Sequence, residues 1–444
     1  MRQLVVLALF LAFAKLAVGA PGTVSLDAAT LNSMVRSALD ENIAVPEFPA
    51  GPGILAEFDF RRIDVYAPGA RIIVVDSNGE HELPRSRRIH LVGYSKDGSS
   101  RVGLSFDPNS GSEPYGAGSG LTGAFVLRSE RTSGGWRLHA VSAEAALPPG
   151  TKLDFVANDD SLPDPNAAPE PLEHLLDAQS PTGALRNAVV AVDTDTTFMS
   201  KRFGGNTTQA TAWIADLFAQ MNVMYERDLD VHLQQGTTFL RTTSDPYANS
   251  DSSATSAMLG EFGTYWQNNY SSGGSAVTRA FAMLLSGNSS SGNSASGIAW
   301  VNAYCRTNSS GGSYSTNQIF TNPAIGVASS AFIVGHELGH NFGASHTHCT
   351  NVTTGAAPTG TNTIDQCFAG ESGCYSGPVS CPTGTPNAPK GTVMSYCHVS
   401  SAGCGQNVQI FSPTHITVIR NRVAANTPSC LTLGVDQIFA SGFQ

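Results

Sequence analysis

The sequence predicts an α+β protein in which a β-rich N-terminal module precedes a C-terminal domain of alternating strands and helices. Three features of the 444-residue chain support this prediction. Residues 21–157 contain short runs of strand-forming residues separated by turn-forming residues. Residues 158–171 are rich in proline and aspartate, as in an exposed linker. From about residue 186, apolar strand-like runs alternate with segments of helical periodicity.

The composition is that of a secreted protein with polar, uncharged surface loops. Charged residues make up 14% of the chain, whereas roughly 25% is usual for a soluble domain. The formal net charge of −10 argues against nucleic acid as a partner, because a phosphate backbone requires a basic surface.

Residues 1–20 have the features of a signal peptide. Arg2 supplies a basic start, residues 4–14 are apolar, and residues 18–20 are the small residues that signal peptidase requires. Lys15 interrupts the apolar run well before it is long enough to span a bilayer, so cleavage is expected rather than anchoring. No later stretch has the length and apolarity of a membrane helix.

Several segments of the N-terminal module, residues 21–157, have the composition of strands. They span residues 62–66, 71–76, 88–94, 101–106, 124–128, 136–142 and 152–157. A linker at 158–185 joins the module to the C-terminal domain at 186–434, and a short tail follows at 435–444. Each of the two large parts is long enough to bury its own core.

The C-terminal domain begins with a predicted strand at 188–192, which Asp193 and Asp195 follow. These carboxylates could join a Ca²⁺ site, although solvation of a strand end is the simpler interpretation. The next segment, 207–227, is predicted to be an amphipathic helix. Its apolar residues, spaced three or four apart, are Trp213, Leu217, Met221 and Met224.

The rest of the domain continues the alternation. Strands are predicted at 231–241, 277–285 and 297–304. A helix between the first two carries apolar residues on one side, namely Met258, Phe262, Tyr265 and Trp266. A last helix is predicted at 413–425, because Ser412 is a favoured N-cap and Pro413 is favoured at the first helical position.

Residues 336–346 contain the spacing that predicts a metal site. In a helix, His336 and His340 lie on one face and can hold a single ion. Glu337 then lies beside the metal without coordinating it, where it can deprotonate a metal-bound water. Gly343 can take a positive φ, which ends the helix and lets His346 return as a third ligand. Three protein nitrogens and one water make a catalytic Zn²⁺ site.

Residues upstream of this motif support a buried helix. Ser329 and Ser330 are its predicted N-caps, and residues 331–334 are apolar. Three other histidines have no spacing that suggests coordination, so we interpret them as packed, solvated or supporting residues: His348, His398 and His415.

A second stretch at 391–397, Gly-Thr-Val-Met-Ser-Tyr-Cys, follows the long histidine motif. Together the two stretches resemble the metzincin metalloproteases, and residues 297–305 and 411–430 are most similar to the reprolysin (adamalysin-like) group. The resemblance implies that Met394 is the Met-turn residue beneath the metal. It also implies a twisted, mostly parallel sheet, whose antiparallel edge strand borders the metal cleft.

That edge strand is the predicted substrate site. An edge strand has N–H and C=O groups open to pairing, so an extended polypeptide can add to it and present a peptide bond to the metal. The residues assigned to this role are Gly297, Ile298, Ala299 and Trp300.

The sequence departs from the reprolysin pattern at Thr347, where many reprolysins have aspartate after the third histidine. Tyr396 resembles a tyrosine that astacins and serralysins place near zinc. It is therefore a candidate oxyanion donor, with packing as the alternative role.

All eight cysteines lie in the last third of the chain, and an even number in an exported protein predicts disulfides. A second, structural zinc site is the alternative, but C-x-x-C pairs are absent. Spacing alone leaves the connectivity open, whereas the reprolysin resemblance implies a Cys305–Cys430 bridge. The remaining cysteines are Cys349, Cys367, Cys374, Cys381, Cys397 and Cys404. Residues 350–390 are expected to form a disulfide-held loop at one side of the cleft.

These features predict a secreted zinc endopeptidase that cleaves protein or peptide substrates. Such an enzyme must be kept inactive before export, so residues 21–185 are interpreted as an inhibitory propeptide that is removed within the linker or near Arg186. A permanent accessory β domain is the alternative. Because no cysteine lies upstream of Cys305, a thiolate latch is excluded, and inhibition must come from a carboxylate, a histidine or obstruction.

Two other functions remain open from the sequence. One is a non-catalytic binding or adhesion protein on a metalloprotease scaffold, against which the presence of Glu337 argues, since a binding module needs no base. The other is a zinc hydrolase of cell-wall peptides, which shares the same site residues.

Overall fold

The computed structural model describes residues 23–37, 39, 41–108, 113–120, 123–147, 154–155, 162–163, 185–384, 388–399 and 403–434. The predicted signal peptide, most of the linker and the tail from 435 onward lie outside the described residues. Among the helices of the described part, none has the length and apolarity needed to cross a membrane.

The N-terminal module is built almost entirely of strands. In chain order they are β1 Thr23–Asp27, β2 Asn42–Gly51, β3 Ile54–Ile63, β4 Ile72–Asp76, β5 Gly79–Leu83, β6 Ile89–Ser95, β7 Arg101–Phe106, β8 Tyr115–Gly120, β9 Gly123–Thr132, β10 Gly135–Ser142, β11 Asp154–Phe155 and, in the linker, β12 Leu162–Pro163, with helix α1 at Ala28–Arg36. Eight of them form an antiparallel sheet in the order β1-β10-β9-β8-β7-β6-β3-β2.

The predicted β-rich character is confirmed, with corrections to single strands. The strand predicted at 62–66 was wrong, because β3 ends at Ile63. Strands β1, β2, β5 and β8 were missed, as was most of β3. Strand β2 contains two prolines and β8 contains three glycines, which are depleted in strands, and pairing with neighbouring strands makes both extended.

The C-terminal domain alternates as predicted. Its elements are β13 Arg186–Thr194, α2 Thr196–Phe203, α3 Thr207–Leu229, β14 Val231–Arg241, α4 Ser256–Tyr270, β15 Phe281–Ser286, β16 Ser294–Val301, β17 Tyr314–Gln318, α5 Val327–Asn341, α6 Pro413–Ala425 and β18 Thr432–Leu433. Ser412 caps α6 through its side chain, as expected. Strand β17 was not predicted, since every residue in it after Tyr314 is polar.

The second sheet has the predicted mostly parallel core. Strands β17, β15, β13 and β14 are parallel, and β16 pairs antiparallel with β17. Strand β16 is not the outermost strand, however. Along its other edge β11 pairs with Ser294 and Ala295, and β12 pairs with Trp300 and Val301, both in the parallel direction. At the far side of the sheet, the β4–β5 hairpin joins β14.

The two parts of the chain share one hydrophobic core. Ile63, Val65 and Val92 of the N-terminal module belong to the same buried cluster as Leu217 and Met221 of α3. Helix α3 was expected to have one exposed face, but most of its residues are buried. The reason is that its polar side packs against β6 and β7, so that the helix lies between the two sheets.

Buried ion pairs join α3 to the N-terminal module. Arg61 donates to Glu226 at 2.7 Å, and the two side chains are 4% and 1% exposed. Asp216 accepts from Arg88 and lies 3.0 Å from His90. Charged residues at helical spacing usually indicate a solvated face, whereas here their partners, Arg61 of β3 and Arg88 just before β6, are more than a hundred residues away.

The carboxylates at the C-terminal end of β13 have protein partners. Asp193 accepts two hydrogen bonds from Arg241, at 2.7 and 2.8 Å, and a third from Tyr247. Asp195 caps α2 by accepting from Phe198 N. Both therefore have structural roles, and the geometry gives no support to a Ca²⁺ site.

The cysteines form four disulfides, and no free cysteine remains among the described residues. The Cys305–Cys430 bridge implied by the resemblance is present. The other pairs are Cys349–Cys374, Cys367–Cys397 and Cys381–Cys404. The alternative of a cysteine-ligated zinc site was therefore wrong, and the loop at 350–390 is held by disulfides as predicted.

Candidate metal centre

Helix α5 carries the first two histidines and the glutamate. It begins after Gly326, so the predicted caps Ser329 and Ser330 were wrong. Gly326 offers no side-chain cap, and the N–H of Ala328 instead donates to the hydroxyl of Tyr115 in the N-terminal module. A backbone N–H at the N-terminus of α5 thus finds its hydrogen-bond acceptor in a distant residue, which the local sequence does not reveal.

The third histidine is brought back by a turn at Gly343. Its φ of +108° lies in the region that favours glycine, and its N–H donates to the carbonyl of His340 at 2.8 Å. Ala344 N donates to Gly339 O at 3.0 Å, which closes the end of the helix. The chain then reverses, and His346 approaches the face of α5 that carries His336.

The three imidazoles are buried and converge. His336, His340 and His346 are 4%, 0% and 0% exposed, and one ring nitrogen of each lies within 4.8 Å of the others. The Nε2 atoms of His336 and His340 are 3.1 Å apart. The structure therefore brings together all three predicted ligands.

The hydrogen bonds of these rings test whether a metal fits. His336 Nδ1 and His340 Nδ1 lie 2.8 and 2.7 Å from the carbonyl oxygens of Val393 and Ala344. A carbonyl only accepts, so each neutral ring carries its proton on Nδ1 and presents a lone pair at Nε2. Two such lone pairs 3.1 Å apart repel each other, and a cation between them removes the repulsion. The residues fit Zn²⁺, which favours imidazole nitrogen.

Glu337 lies between the histidines and the sheet. Its side chain is buried, with the residue 1% exposed, and it packs directly over Gly297 of β16. A Cβ added at Gly297 would lie 2.1 Å from Glu337 Oε1, so only glycine fits beneath this carboxylate. The amide of Asn341 also donates to Trp300 O at 2.9 Å, which ties α5 to the same strand.

The segment at 393–396 lies beneath and beside the rings. Met394 is fully buried, and its Sδ would be 2.8 Å from a Cβ added at Gly339. Its carbonyl accepts from Thr347 N at 3.0 Å, so one turn supports both sides of the site. The ring of Tyr396 lies 4.3 Å from that of His346, centroid to centroid. The roles assigned to Met394 and Tyr396 remain predictions.

Sequence reasoning missed Glu371. Its Oε2 lies 2.7 Å from His346 Nδ1 and 2.9 Å from His348 Nε2. Burial raises the pKa of Glu371, but the hydrogen bonds from the two imidazoles outweigh it and hold the pKa well below its usual range. The sequence offered one signal for this residue. Asp365 and Glu371 are the only acidic residues between 350 and 390, in the loop that follows the third histidine.

The two parts of the chain enclose a cavity of about 450 Å³ beside the metal centre. Tyr115, Phe125 and Leu127 line it from the N-terminal module, and Trp213 lines it from α3. Phe332 and His398 border both this cavity and the small pocket that contains Glu337. The N-terminal module therefore lines a cavity that adjoins the site at Phe332 and His398.

A family model described as metallo-peptidase family M12, of reprolysin type, matches residues 185–412. The chain belongs to the M12 family. The matched residues include α5, the three histidines and Met394, so the predicted reprolysin-like metzincin relationship is confirmed. Membership of this peptidase family implies a metal-dependent hydrolase acting on protein or peptide substrates.

Other comparisons add little to the M12 assignment. No curated protein matches the chain. Among solved structures 74 chains match. One of them, titled "Structure of a chaperone-substrate complex", is 12% identical over 53% of this chain and 34% of that chain, with a TM-score of 0.27. This chain thus spans about a third of that protein, and so low a TM-score supports no structural argument.

Proposed function

We propose that this M12 chain is a secreted zinc endopeptidase that hydrolyses internal peptide bonds, with Glu337 as its general base. One observation carries the proposal. One ring nitrogen of each of the three imidazoles lies within 4.8 Å of the others, with the Nε2 atoms of His336 and His340 3.1 Å apart, while the buried carboxylate of Glu337 lies directly over the strand predicted to bind substrate. The four disulfides accord with an exported protein.

His336, His340 and His346 hold the metal. When bound, Zn²⁺ supplies a Lewis acid that polarises the scissile carbonyl and lowers the pKa of an attacking water towards about 7. Glu337 accepts the proton of that water and later delivers it to the leaving amine. Tyr396, whose ring lies beside His346, donates to the developing oxyanion. Met394 packs under α5 and keeps the ligands in place.

The substrate is an extended polypeptide lying along β16. Gly297, Ile298 and Ala299 use one edge of this strand to pair with β17. On the opposite edge, only the ends of β16 are paired among the described residues, with β11 at Ser294 and Ala295 and with β12 at Trp300 and Val301. The chain that leaves the N-terminal module thus pairs with the edge assigned to substrate.

This pairing supports the proposal that residues 21–185 are an inhibitory propeptide. A peptide cannot pair along the full length of an edge whose two ends other strands already occupy. The cavity that adjoins the site at Phe332 and His398 also supports the proposal, because residues of the N-terminal module line it. Inhibition by obstruction needs neither a thiolate nor a further metal ligand.

We expect casein cleavage only after β11 and β12 have been removed. The secreted protein is separated into intact and processed forms, each N-terminus is sequenced, and initial rates are compared at equal zinc content. The intact form should have a small fraction of the activity of the form that begins near Arg186. Equal rates in the two forms would refute the propeptide proposal and favour a permanent accessory module.

Removing the metal should abolish this activity reversibly. We expect a chelator to reduce casein cleavage by the processed protein to background, and one equivalent of Zn²⁺ to restore it. Activity that survives with no measurable bound metal would exclude the zinc mechanism. No cleavage at full zinc occupancy, with residues 21–185 confirmed absent, would favour the non-catalytic binding protein.

A further inference from the structure

We propose that Glu371 is a positioning residue that fixes the third ligand, His346, and that His348 shares its carboxylate. This inference rests on the proposed function, in which His346 binds zinc. The same carboxylate oxygen lies 2.7 Å from His346 Nδ1 and 2.9 Å from His348 Nε2. Both imidazoles are 0% exposed and the Glu371 side chain is 10% exposed. The rings are nearly parallel, at 9°, with centroids 5.3 Å apart.

The need for such a residue follows from where His346 lies. His336 and His340 are on a helix, whose backbone hydrogen bonds fix their positions. His346 lies in the loop between α5 and the short turn at Thr347–Cys349, so its backbone alone constrains the ring less. A hydrogen bond at Nδ1 fixes the tautomer and the orientation of the ring, and so directs Nε2 towards the other two ligands.

Glu371 differs chemically from the acceptors of the other two ligands. His336 and His340 donate to backbone carbonyls, whereas His346 donates to a carboxylate. A charged acceptor makes the stronger hydrogen bond and increases the basicity of the ligand. With Zn²⁺ bound, the negative charges of Glu337 and Glu371 would also balance the metal, which lowers the cost of burying its charge.

The loop that carries Glu371 is itself held against His348. Cys349 follows His348 directly and is bonded to Cys374, three residues after Glu371. Tyr375 N donates to the carbonyl of His348 at 2.9 Å. The disulfide and this hydrogen bond hold the two segments together, so the position of Glu371 does not depend on a flexible loop.

The test is zinc affinity, measured on the full chain by competition with a chromophoric chelator. Glu371→Gln should raise the zinc Kd about 10- to 100-fold, as removing a partner of a metal-bound histidine typically does. The Co²⁺-substituted protein should show an altered visible spectrum. Asp365→Asn is the matched control. It neutralises the other acidic residue of the loop, which accepts from Ser395 and not from a histidine, and its zinc Kd should be unchanged.

Each result has a defined meaning. If His346→Ala binds zinc as tightly as the wild type, the ligand assignment fails and the proposed function with it. If His346→Ala loses zinc while Glu371→Gln keeps the wild-type Kd, this inference alone is overturned. Equal losses in Glu371→Gln and Asp365→Asn would also overturn it, as an effect of loop structure. Should Glu371→Gln not fold, Glu371→Asp decides, because a shortened carboxylate should weaken zinc binding severalfold and an unchanged Kd would refute the role.

Discussion

Replacing Glu337 with glutamine is expected to lower kcat/KM for casein by about 10²- to 10⁴-fold, the usual contribution of a general acid–base group. Zinc should remain bound at one equivalent, because the amide keeps the shape of the side chain and Glu337 is not a ligand. Glutamine has the same number of side-chain heavy atoms as glutamate, so it should also fit in the small space over Gly297. Activity and bound metal are measured on the same processed preparation.

Tyr396→Phe is the companion variant to Glu337→Gln. It keeps the ring that packs against His346 and removes only the hydroxyl proposed to donate to the oxyanion. We expect a smaller loss, in kcat rather than in zinc content, if the hydroxyl acts in the transition state. A wild-type rate for zinc-loaded Glu337→Gln would exclude this carboxylate as the base, and a wild-type rate for Tyr396→Phe would assign Tyr396 to packing.

Replacing Glu226 with alanine is expected to lower the free energy of unfolding of the full chain by about 3–5 kcal/mol. Glu226 accepts from Arg61 and Tyr94 of the N-terminal module and lies 2.7 Å from His232 Nδ1. Its loss leaves the guanidinium of Arg61 buried without a counter-charge. Urea unfolding measures the effect, and a Glu337→Gln background prevents self-cleavage.

The exposed pair Arg71–Glu82 provides the control for this substitution. Its side chains are 58% and 53% exposed, so Glu82→Ala should change stability by less than about 1 kcal/mol. Equal effects of Glu226→Ala and Glu82→Ala would show that the buried pair does not hold the N-terminal module to α3.

The Glu226 pair also predicts a pH dependence. Burial raises the pKa of Glu226, but the charge of Arg61 and the hydrogen bond from His232 outweigh it and lower the pKa from 4.5 to about 2. The folded pKa is the lower one, so this stabilisation is present above about 4.5 and is lost as the pH falls towards about 2. Glu226→Gln should remove this part of the acid sensitivity, which urea titrations across that range would measure.

The sequence by itself determined those features that depend on short spacings. Two histidines four residues apart share a helix face, and a glycine three residues later allows the reversal that brings in His346. The bounds of β14 and α6 were predictable for a similar reason, because residue pattern and capping act locally. The family resemblance added the Cys305–Cys430 bridge, which spacing alone left open.

Only the tertiary structure decided the features that join distant segments. The polar face of α3 is buried because the N-terminal module supplies Arg61 and Arg88 as partners. Both ends of the outer edge of β16 are paired because β11 and β12 return to it, and Ala328 at the start of α5 has Tyr115 as its partner. Glu371 accepts a hydrogen bond from His346, although the two residues are 25 positions apart in the sequence. A side chain's preference is local, but whether it is buried and what it contacts depend on how the whole chain packs, and the sequence pattern around it does not contain that information.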